Sequence, residues 1–179
     1  MNEKLHNAIQ ALQDKFGGEL QEAFNEHTIF IAPQNIVEVV TLLRDEFEFK
    51  LLASLTATDY WPEENPRFHL SYQLHNFDEQ ITIRVRVPIP GEHPSVPTIE
   101  GVFKNANWFE RELFDMFGIH IEGHSDLRRI LMPHDWSGHP LRKDYPLGYE
   151  EPQFTFNFDE IAAKKPFATK DWLEEESDA

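Results

Sequence analysis

The sequence predicts an α+β fold: two helices packed on a small antiparallel or mixed sheet, then a third helix, a signature loop (residues 118–147) and an extended C-terminal tail. In the first 88 residues, helical spacing of apolar residues alternates with strand-like spacing in the order α-β-β-α-β-β-β. Hydrophobic residues make up 40% of the 179 positions, enough for one core. We therefore expect a core domain over residues 1–147 and a partner-binding tail over 148–179.

The first half of the chain contains two predicted helices and a hairpin. Residues 2–16 form an amphipathic helix that Gly17 and Gly18 stop, because its apolar residues recur at spacings of three and four. Residues 19–32 alternate as two short strands that end at Pro33. Asn35 is the expected cap of a second helix that ends near Phe47, and Ile36, Val39, Val40 and Leu43 form its buried stripe.

Three strands and a third helix follow. Residues 49–60 are mostly apolar, and alternation on one face marks two further strands, carried by Phe68, Leu70, Tyr72 and Leu74 and by Ile81, Ile83, Val85 and Val87. The proline-rich stretch 88–97 is expected to break regular structure. A helix is predicted over residues 98–117, with Gly118 as its C-cap.

Composition excludes several functions. The chain contains no cysteine, which rules out disulfides, thiolate nucleophiles and cysteine-ligated zinc or iron–sulfur sites. A net charge of −16 disfavours nucleic acid and anionic lipid as partners. No apolar run is long enough to cross a membrane and the first residues do not resemble a signal peptide, so any membrane association is expected to be indirect.

The charged residues of the third helix predict structure or contact rather than catalysis. Glu110 and Glu112 are two residues apart and therefore point away from each other, which makes them a poor pair for acid/base work. We expect at least one of Arg128 and Arg129 to pair with Glu110, Glu112 or Asp115 across the intervening turn. Such a network could pin the loop to the helix or contact a partner protein.

Four histidines, at positions 120, 124, 134 and 139, raise the alternative of a zinc or iron site with Asp126 or Asp135. Glycines at 118 and 123 argue against a single helix that carries His120 and His124, and no HExxH motif is present. Hydrogen-bonded or solvated histidines are the favoured interpretation, so no metal ligand is assigned.

Residues 135–146 form a loop by composition, since Gly138 and Pro140 favour turns. Trp136, Leu141 and Tyr145 lie beside Arg142 and Lys143, and aromatic residues with arginine are typical of interface anchors. A Gly-x-Ser-x-Gly elbow is missing around Ser137, which argues against a serine hydrolase.

The segment from residue 107 to 147 resembles the signature of the 30 kDa subunit family of respiratory complex I, whose bacterial members are called the C subunit. The resemblance is carried by the residues 110–112, Asp115, 118–119, 123–124, 126–131 and 138–147, with weaker support from 55–60 and 94–97. The signature and interface residues that we assign are Glu110, Arg111, Glu112, Asp115, His124, Arg128, Arg129, Trp136, His139, Arg142, Lys143, Asp144 and Tyr145.

The resemblance implies a cofactor-free, non-catalytic subunit of the peripheral arm of a proton-pumping NADH:quinone oxidoreductase. It implies the large quinone-site subunit and neighbouring iron–sulfur subunits as partners, on the cytoplasmic side of the plasma membrane. NADH, FMN, iron–sulfur clusters and quinone are then expected in other subunits. The tail, with Phe154, Phe156, Phe158, Phe167 and Trp172 spaced along it, is expected to become ordered only on a partner.

Three alternatives remain open. The chain could be the equivalent subunit of an F420- or ferredoxin-linked dehydrogenase or of a membrane-bound hydrogenase, although the Gly-His-Pro sequence at 138–140 favours the respiratory form. It could be a stand-alone metalloenzyme that uses the histidines. It could also be an assembly or scaffold protein that is absent from the mature complex.

Overall fold

A computed structural model describes residues 2–24 and 26–146 as a sheet with helices on one side. The elements are α1 (Glu3–Phe16), β1 (Glu19–Ala23), β2 (Glu26–Phe30), α2 (Ile36–Asp45), β3 (Leu51–Asp59), β4 (Phe68–Asn76), β5 (Ile81–Ile89), β6 (Ser95–Pro97), α3 (Ala106–Phe117) and β7 (His120–Glu122). Among these residues, no helix has the length and apolarity that crossing a membrane requires. The predicted 148–179 tail and its boundary lie outside the described residues.

The main sheet is mixed, as the sequence predicted. Its strand order is β1-β2-β5-β4-β3; β2 and β5 run parallel and the other neighbours antiparallel. Alternate residues of β4 and β5 are buried in one core, which also takes the apolar stripes of α1 and α2. The helices therefore cover one face of the sheet.

The ends of α1 follow from local chemistry. The side chain of Asn2 accepts a hydrogen bond from the amide of Lys4, and Gly17 closes the helix in the left-handed conformation. Asn35 occupies the N-cap position of α2, as predicted, but its side chain makes no cap hydrogen bond. The preceding turn of 3₁₀-helix, Pro33–Asn35, leads directly into α2 instead.

Three element boundaries differ from the prediction. The third helix begins at Ala106 rather than at residue 98, because the carboxylate of Glu110 holds the amide of Ile99 and turns the preceding segment back along the helix. The second helix ends at Asp45, two residues before Phe47. The proline-rich stretch is not wholly irregular, since β6 pairs with β7 in a short parallel ladder beside α3.

Candidate functional site

Asp115, near the end of α3, holds the signature loop by its backbone. Its side chain is fully buried, and its Oδ2 atom accepts the amides of Ile130, Leu131 and Met132 at 2.7–3.0 Å. Burial by itself would raise the pKa of Asp115, but these amides and the Arg129 guanidinium lower it below the usual range. The carboxylate is therefore ionised at neutral pH and acts as a fixed anchor.

Arg129 closes the same anchor from the loop side. Its Nη1 atom lies 2.6 Å from Oδ1 of Asp115, which confirms the predicted arginine–carboxylate pairing. Its Nη2 atom donates to the carbonyl oxygens of Trp136 and Gly138, at 2.9 and 3.0 Å. One guanidinium thus joins the helix to the backbone of residues 136–138 of the loop.

Arg111 lies one helical turn before Asp115 and binds the neighbouring carbonyl groups. Its Nε and Nη2 atoms donate to the carbonyl oxygens of Arg128 and Arg129, at 3.1 and 3.0 Å. The indole of Trp108 lies 5.5 Å from the guanidinium carbon, so the cation also packs on an aromatic face. Asp115 and Arg111 of α3 therefore bind this part of the loop by its backbone. Asp115 accepts the amides of residues 130–132, and Arg111 donates to the carbonyl oxygens of residues 128 and 129.

His139, Leu141 and Arg142 complete the C-terminal end of α3, where backbone carbonyls have no partner within the helix. The Nδ1 atom of His139 lies 3.0 Å from the carbonyl oxygen of Asp115, and the amide of Leu141 donates to Met116. Gly118, at φ +71°, lies against the His139 ring, where a Cβ atom would come within 2.6 Å. The glycine is therefore required both by its conformation and by this close approach.

Glu110 forms a second buried cluster with His124 and Glu100. The Glu110 carboxylate accepts from the hydroxyl of Thr98 at 2.6 Å and from the amide of Ile99 at 2.7 Å. Burial raises the pKa of Glu110 above its usual value, although these two hydrogen bonds oppose the shift. The Nε2 atom of His124 lies 3.8 Å from an oxygen of each glutamate.

These three side chains are the group, among the described residues, whose atoms could hold a metal ion. The Nδ1 atom of His124 accepts the amide of Asp126 at 3.0 Å, which leaves the ring proton on Nε2, close to the carbonyl oxygen of Asn107 at 3.2 Å. Glu100 accepts from Ser125 and Asn107. Each of the three side chains already has hydrogen-bond partners in the protein. In this tautomer of His124, the Nε2 atom that lies near Glu100 and Glu110 carries a proton and has no lone pair for a metal ion.

A third buried network ties the end of the loop to the sheet. Arg67, between β3 and β4, makes a two-point contact with Asp59 at 2.9 Å and also reaches Asp144 at 2.8 Å. Arg142 pairs with Asp144, and the amide of Lys143 donates to Asp59. Burial opposes ionisation of Asp144, but Arg67 and Arg142 lower its pKa to about 2.

The remaining predicted site residues differ in their contacts and in their exposure to solvent. Trp136 donates through Nε1 to the hydroxyl of Tyr145 at 3.1 Å, so these aromatics pack within the loop. Lys143 is exposed, and Glu112 is half-buried and belongs to none of the three networks. Arg128 pairs with Asp126 on the surface, which shows that the two adjacent arginines have separate tasks.

Sequence reasoning does not assign Arg67, Glu100 or Thr98 to the site. Arg67 directly precedes a strand, and its contact with Asp144 joins residues 77 positions apart, which no local pattern reveals. Asp59 lies in the weaker matching stretch 55–60, where the sequence suggests no role for it. The informative signal at Arg67 is a charged residue directly before a strand whose buried residues Phe68, Leu70, Tyr72 and Leu74 are hydrophobic.

The anchored segment leaves large apolar side chains in the open. Trp108, Leu131 and Leu141 are 61%, 63% and 51% exposed, and the Arg128 side chain is 71% exposed. Trp108 and the backbone of residues 128–129 are neighbours because both contact the guanidinium of Arg111. Rigid backbone carrying exposed aromatic, aliphatic and arginine side chains is suited to protein contact.

Known sequences match this chain over a region that includes the three buried networks. Residues 29–151 match the model of the family described as respiratory-chain NADH dehydrogenase, 30 Kd subunit. The NADH-quinone oxidoreductase C subunit of Roseiflexus sp. (strain RS-1) is 50% identical over 143 residues, covering 79% of this chain and 82% of the relative. The corresponding subunit of Geobacter sulfurreducens is 37% identical over 145 residues, covering 79% and 90%.

Two solved structures share the fold. A trypsin-resistant fragment of Nqo5 superposes with a TM-score of 0.63 at 28% identity, over 69% of this chain and 99% of the fragment. A chain from the membrane-bound sulfane sulfur reductase, an archaeal respiratory membrane complex, gives a TM-score of 0.71 at 20% identity, over 94% and 97%. The second likeness concerns the fold alone.

Proposed function

Because this chain belongs to the 30 kDa subunit family of the respiratory-chain NADH dehydrogenases, we propose that it serves its complex as a non-catalytic, cofactor-free docking subunit. The complex is an NADH-quinone oxidoreductase, as the names of the relatives state. We propose further that the complex translocates protons, that this chain lies in its peripheral arm on the cytoplasmic side, and that it contacts the large quinone-site subunit and adjacent iron–sulfur subunits.

The observation that carries this proposal is how the charged signature residues are used. Arg111, Asp115 and Arg129 direct their hydrogen bonds to the protein's own backbone and to each other. Groups bound in this way are poor acids, bases or nucleophiles, because reaction would break the fold around them. What they produce is a rigid surface that displays Trp108 and Leu131.

A cofactor-free chain is supported by the residues available for ligation. The absence of cysteine removes the usual ligands of iron–sulfur clusters. His124 and the two glutamates beside it already form hydrogen bonds with the surrounding protein. These hydrogen bonds weigh against the stand-alone metalloenzyme alternative, although the three side chains lie close enough together to bind a metal ion.

The experiment replaces an exposed apolar side chain of the proposed docking surface in cells that lack the natural chain. We expect Leu131→Ser to lower the amount of assembled complex on native gels, while NADH-quinone reductase activity per assembled complex is unchanged. Phe77→Ser is the matched control, because Phe77 is 59% exposed on the distant turn after β4. Normal assembly with lost turnover would contradict the proposal and point to a direct part in electron or proton transfer.

A further inference from the structure

The face of the main sheet that points away from the helices is lined by polar and aromatic side chains. On β4, residues 68, 70, 72 and 74 point into the core, whereas His69, Ser71, Gln73 and His75 point to the opposite side and are half-buried. The register places Arg86 of β5 next to Ser71 and next to Phe30 of β2. This outer sheet face is separate from the signature loop anchors on α3.

Arg86 is held between two aromatic rings on this face. Its guanidinium carbon lies 5.7 Å from the ring centre of Phe30 and 5.6 Å from that of Tyr60. The ring of His69 lies 4.8 Å from the Tyr60 ring and 6.2 Å from the Phe30 ring. The aromatic frame fixes the plane of the guanidinium before any partner arrives.

Within the described part of this strongly acidic chain, Arg86 has no carboxylate partner. Six other arginines there form ion pairs with Asp or Glu, and Arg111 binds backbone carbonyls. Arg86 instead donates one hydrogen bond to the hydroxyl of Tyr60, and its buried Nε atom has no acceptor among the described residues.

His69, next to Arg86 in this cluster, is a second side chain with an unpaired buried polar atom within the described part of the chain. Its buried Nδ1 atom also has no hydrogen-bond partner among the residues that the structure describes. Burial lowers the pKa of His69 and the charge of Arg86 lowers it further, whereas the charge of Glu63 opposes the shift more weakly. The imidazole is therefore neutral at physiological pH, and the guanidinium of Arg86 is the charged group in the cluster that it forms with His69 and the two rings.

We propose that the outer sheet face around Arg86 is a docking surface for a neighbouring protein subunit that presents a carboxylate side chain to the guanidinium. The inference rests on the proposed function in one respect, since it takes this chain to be part of a multi-subunit complex. A planar guanidinium framed by aromatics matches the two oxygens of a carboxylate, and arginine with tyrosine is the composition of interface anchors. A second copy of this chain is disfavoured by its net charge of −16.

The first test compares two arginines on the same face of β5 in the full complex, isolated through a tag on this chain. We expect Arg86→Gln to lower retention of the other subunits in salt washes by about tenfold, and Arg86→Lys to lower it less. Arg84→Gln is the control, because Arg84 already pairs with Glu26 at 3.0 Å, and retention should equal that of the wild type. Equal retention in all variants would overturn the inference.

The second test leaves Arg86 intact and so does not depend on how a variant folds. A photo-crosslinking residue replaces Ser71 on the outer sheet face, or Gln10 on the exposed side of α1 as a control. We expect Ser71 to crosslink to another subunit at a peptide that contains Asp or Glu, with no such product from Gln10. Crosslinks to the chain's own residues 147–179, to a second copy or to lipid, or no crosslink at all, would overturn the inference.

The two proposals fail in different ways. If the tagged chain recovers no NADH-quinone oxidoreductase subunits, the proposed function is wrong. If the complex is recovered but the Ser71 position crosslinks to no subunit, the proposed function stands and only the docking surface is refuted.

Discussion

Arg128 and Arg129 are adjacent in the chain but face different environments. Arg129 bridges the buried Asp115 and two loop carbonyls, whereas Arg128 forms an exposed pair with Asp126. A buried ion pair that loses one partner leaves an unpaired charge, while an exposed pair contributes little. The two positions therefore form a matched pair for measuring what the anchor contributes.

We predict that Arg129→Ala lowers the free energy of unfolding by roughly 3 kcal/mol, because Asp115 keeps a buried charge without its counterion. Arg128→Ala should leave the free energy of unfolding close to that of the wild type. Denaturant unfolding of the full chain at neutral pH measures both. Equal destabilisation by the two substitutions would show that the Asp115 anchor does not depend on Arg129.

Glu110 and Asp115 respond to pH in opposite directions. The pKa of Asp115 is lowered in the folded state, so its stabilising contribution is present above its unfolded pKa and is lost as pH falls through the folded pKa. The pKa of Glu110 is raised by burial, so the folded state holds a proton more readily than the unfolded chain does. Glu110 therefore costs stability as pH rises from its unfolded pKa through its folded one.

We predict that Glu110→Gln becomes more favourable relative to the wild type as pH rises above about 4.3, the ordinary glutamate value. The amide carries no charge, and its oxygen can still accept the amide of Ile99. The measurement is the difference in unfolding free energy between the two proteins from pH 4 to pH 8. A difference that does not change with pH would contradict the raised pKa of Glu110.

The signature loop is attached to two different elements by two separate networks. Asp115 on α3 holds the amide of Leu131, whereas Asp59 at the end of β3 holds the amide of Lys143 with Arg67 beside it. Arg142 connects the second network to the end of α3, because it pairs with Asp144 and donates to the carbonyl oxygen of Phe117. Asp115 and Arg129 form no hydrogen bond with Asp59, Arg67 or Asp144 in the described part of the chain, so each end of the loop should open without the other.

We predict that Arg67→Met speeds hydrogen exchange at the Lys143 amide but not at the Leu131 amide, because Asp59 and Asp144 lose their shared cation. Arg129→Ala should produce the reverse pattern. Hydrogen exchange of the full chain, resolved to single amides, measures both variants and each serves as the other's control. Simultaneous loss of protection at both amides would mean that the loop opens as one unit.

For the molecule as a whole, the buried charged side chains of the described region attach the loop and neighbouring segments to helix α3 and the sheet. Three buried networks join α3, the β3–β4 end of the sheet and the loop, and they leave exposed apolar side chains between them. This arrangement is typical of a protein that positions neighbours, since buried charges cost stability but select one geometry.

We predict that the purified full chain is colourless and binds no metal stoichiometrically. The reason is the lack of thiolate ligands together with the hydrogen-bonded state of His124, Glu100 and Glu110. Visible absorption spectroscopy and elemental analysis measure this, with the assembled complex as the positive control. Flavin or iron–sulfur absorbance, or one metal per chain, would refute the cofactor-free assignment.

Local sequence patterns were enough to predict the main elements, the family and much of the core. Spacing of apolar residues is a local property, so α1, α2 and the alternation along β4 and β5 could be predicted from their own residues. The signature motif identified the family because many residue types recur at set spacings over one continuous segment. The pairing of Arg129 with Asp115 could also be predicted, because the two residues are 14 positions apart and glycines at 118 and 123 let the chain turn back.

Which charges meet across the fold depends instead on the tertiary arrangement. Arg67 forms ion pairs with both Asp59 and Asp144, and Glu110 lies beside His124. Arg86 has no carboxylate partner among the described residues. These relations depend on strand order and on where α3 begins, which arise from packing of the whole core rather than from any local pattern. A side chain's partners are set by three-dimensional distance, and sequence spacing constrains that distance only within one element.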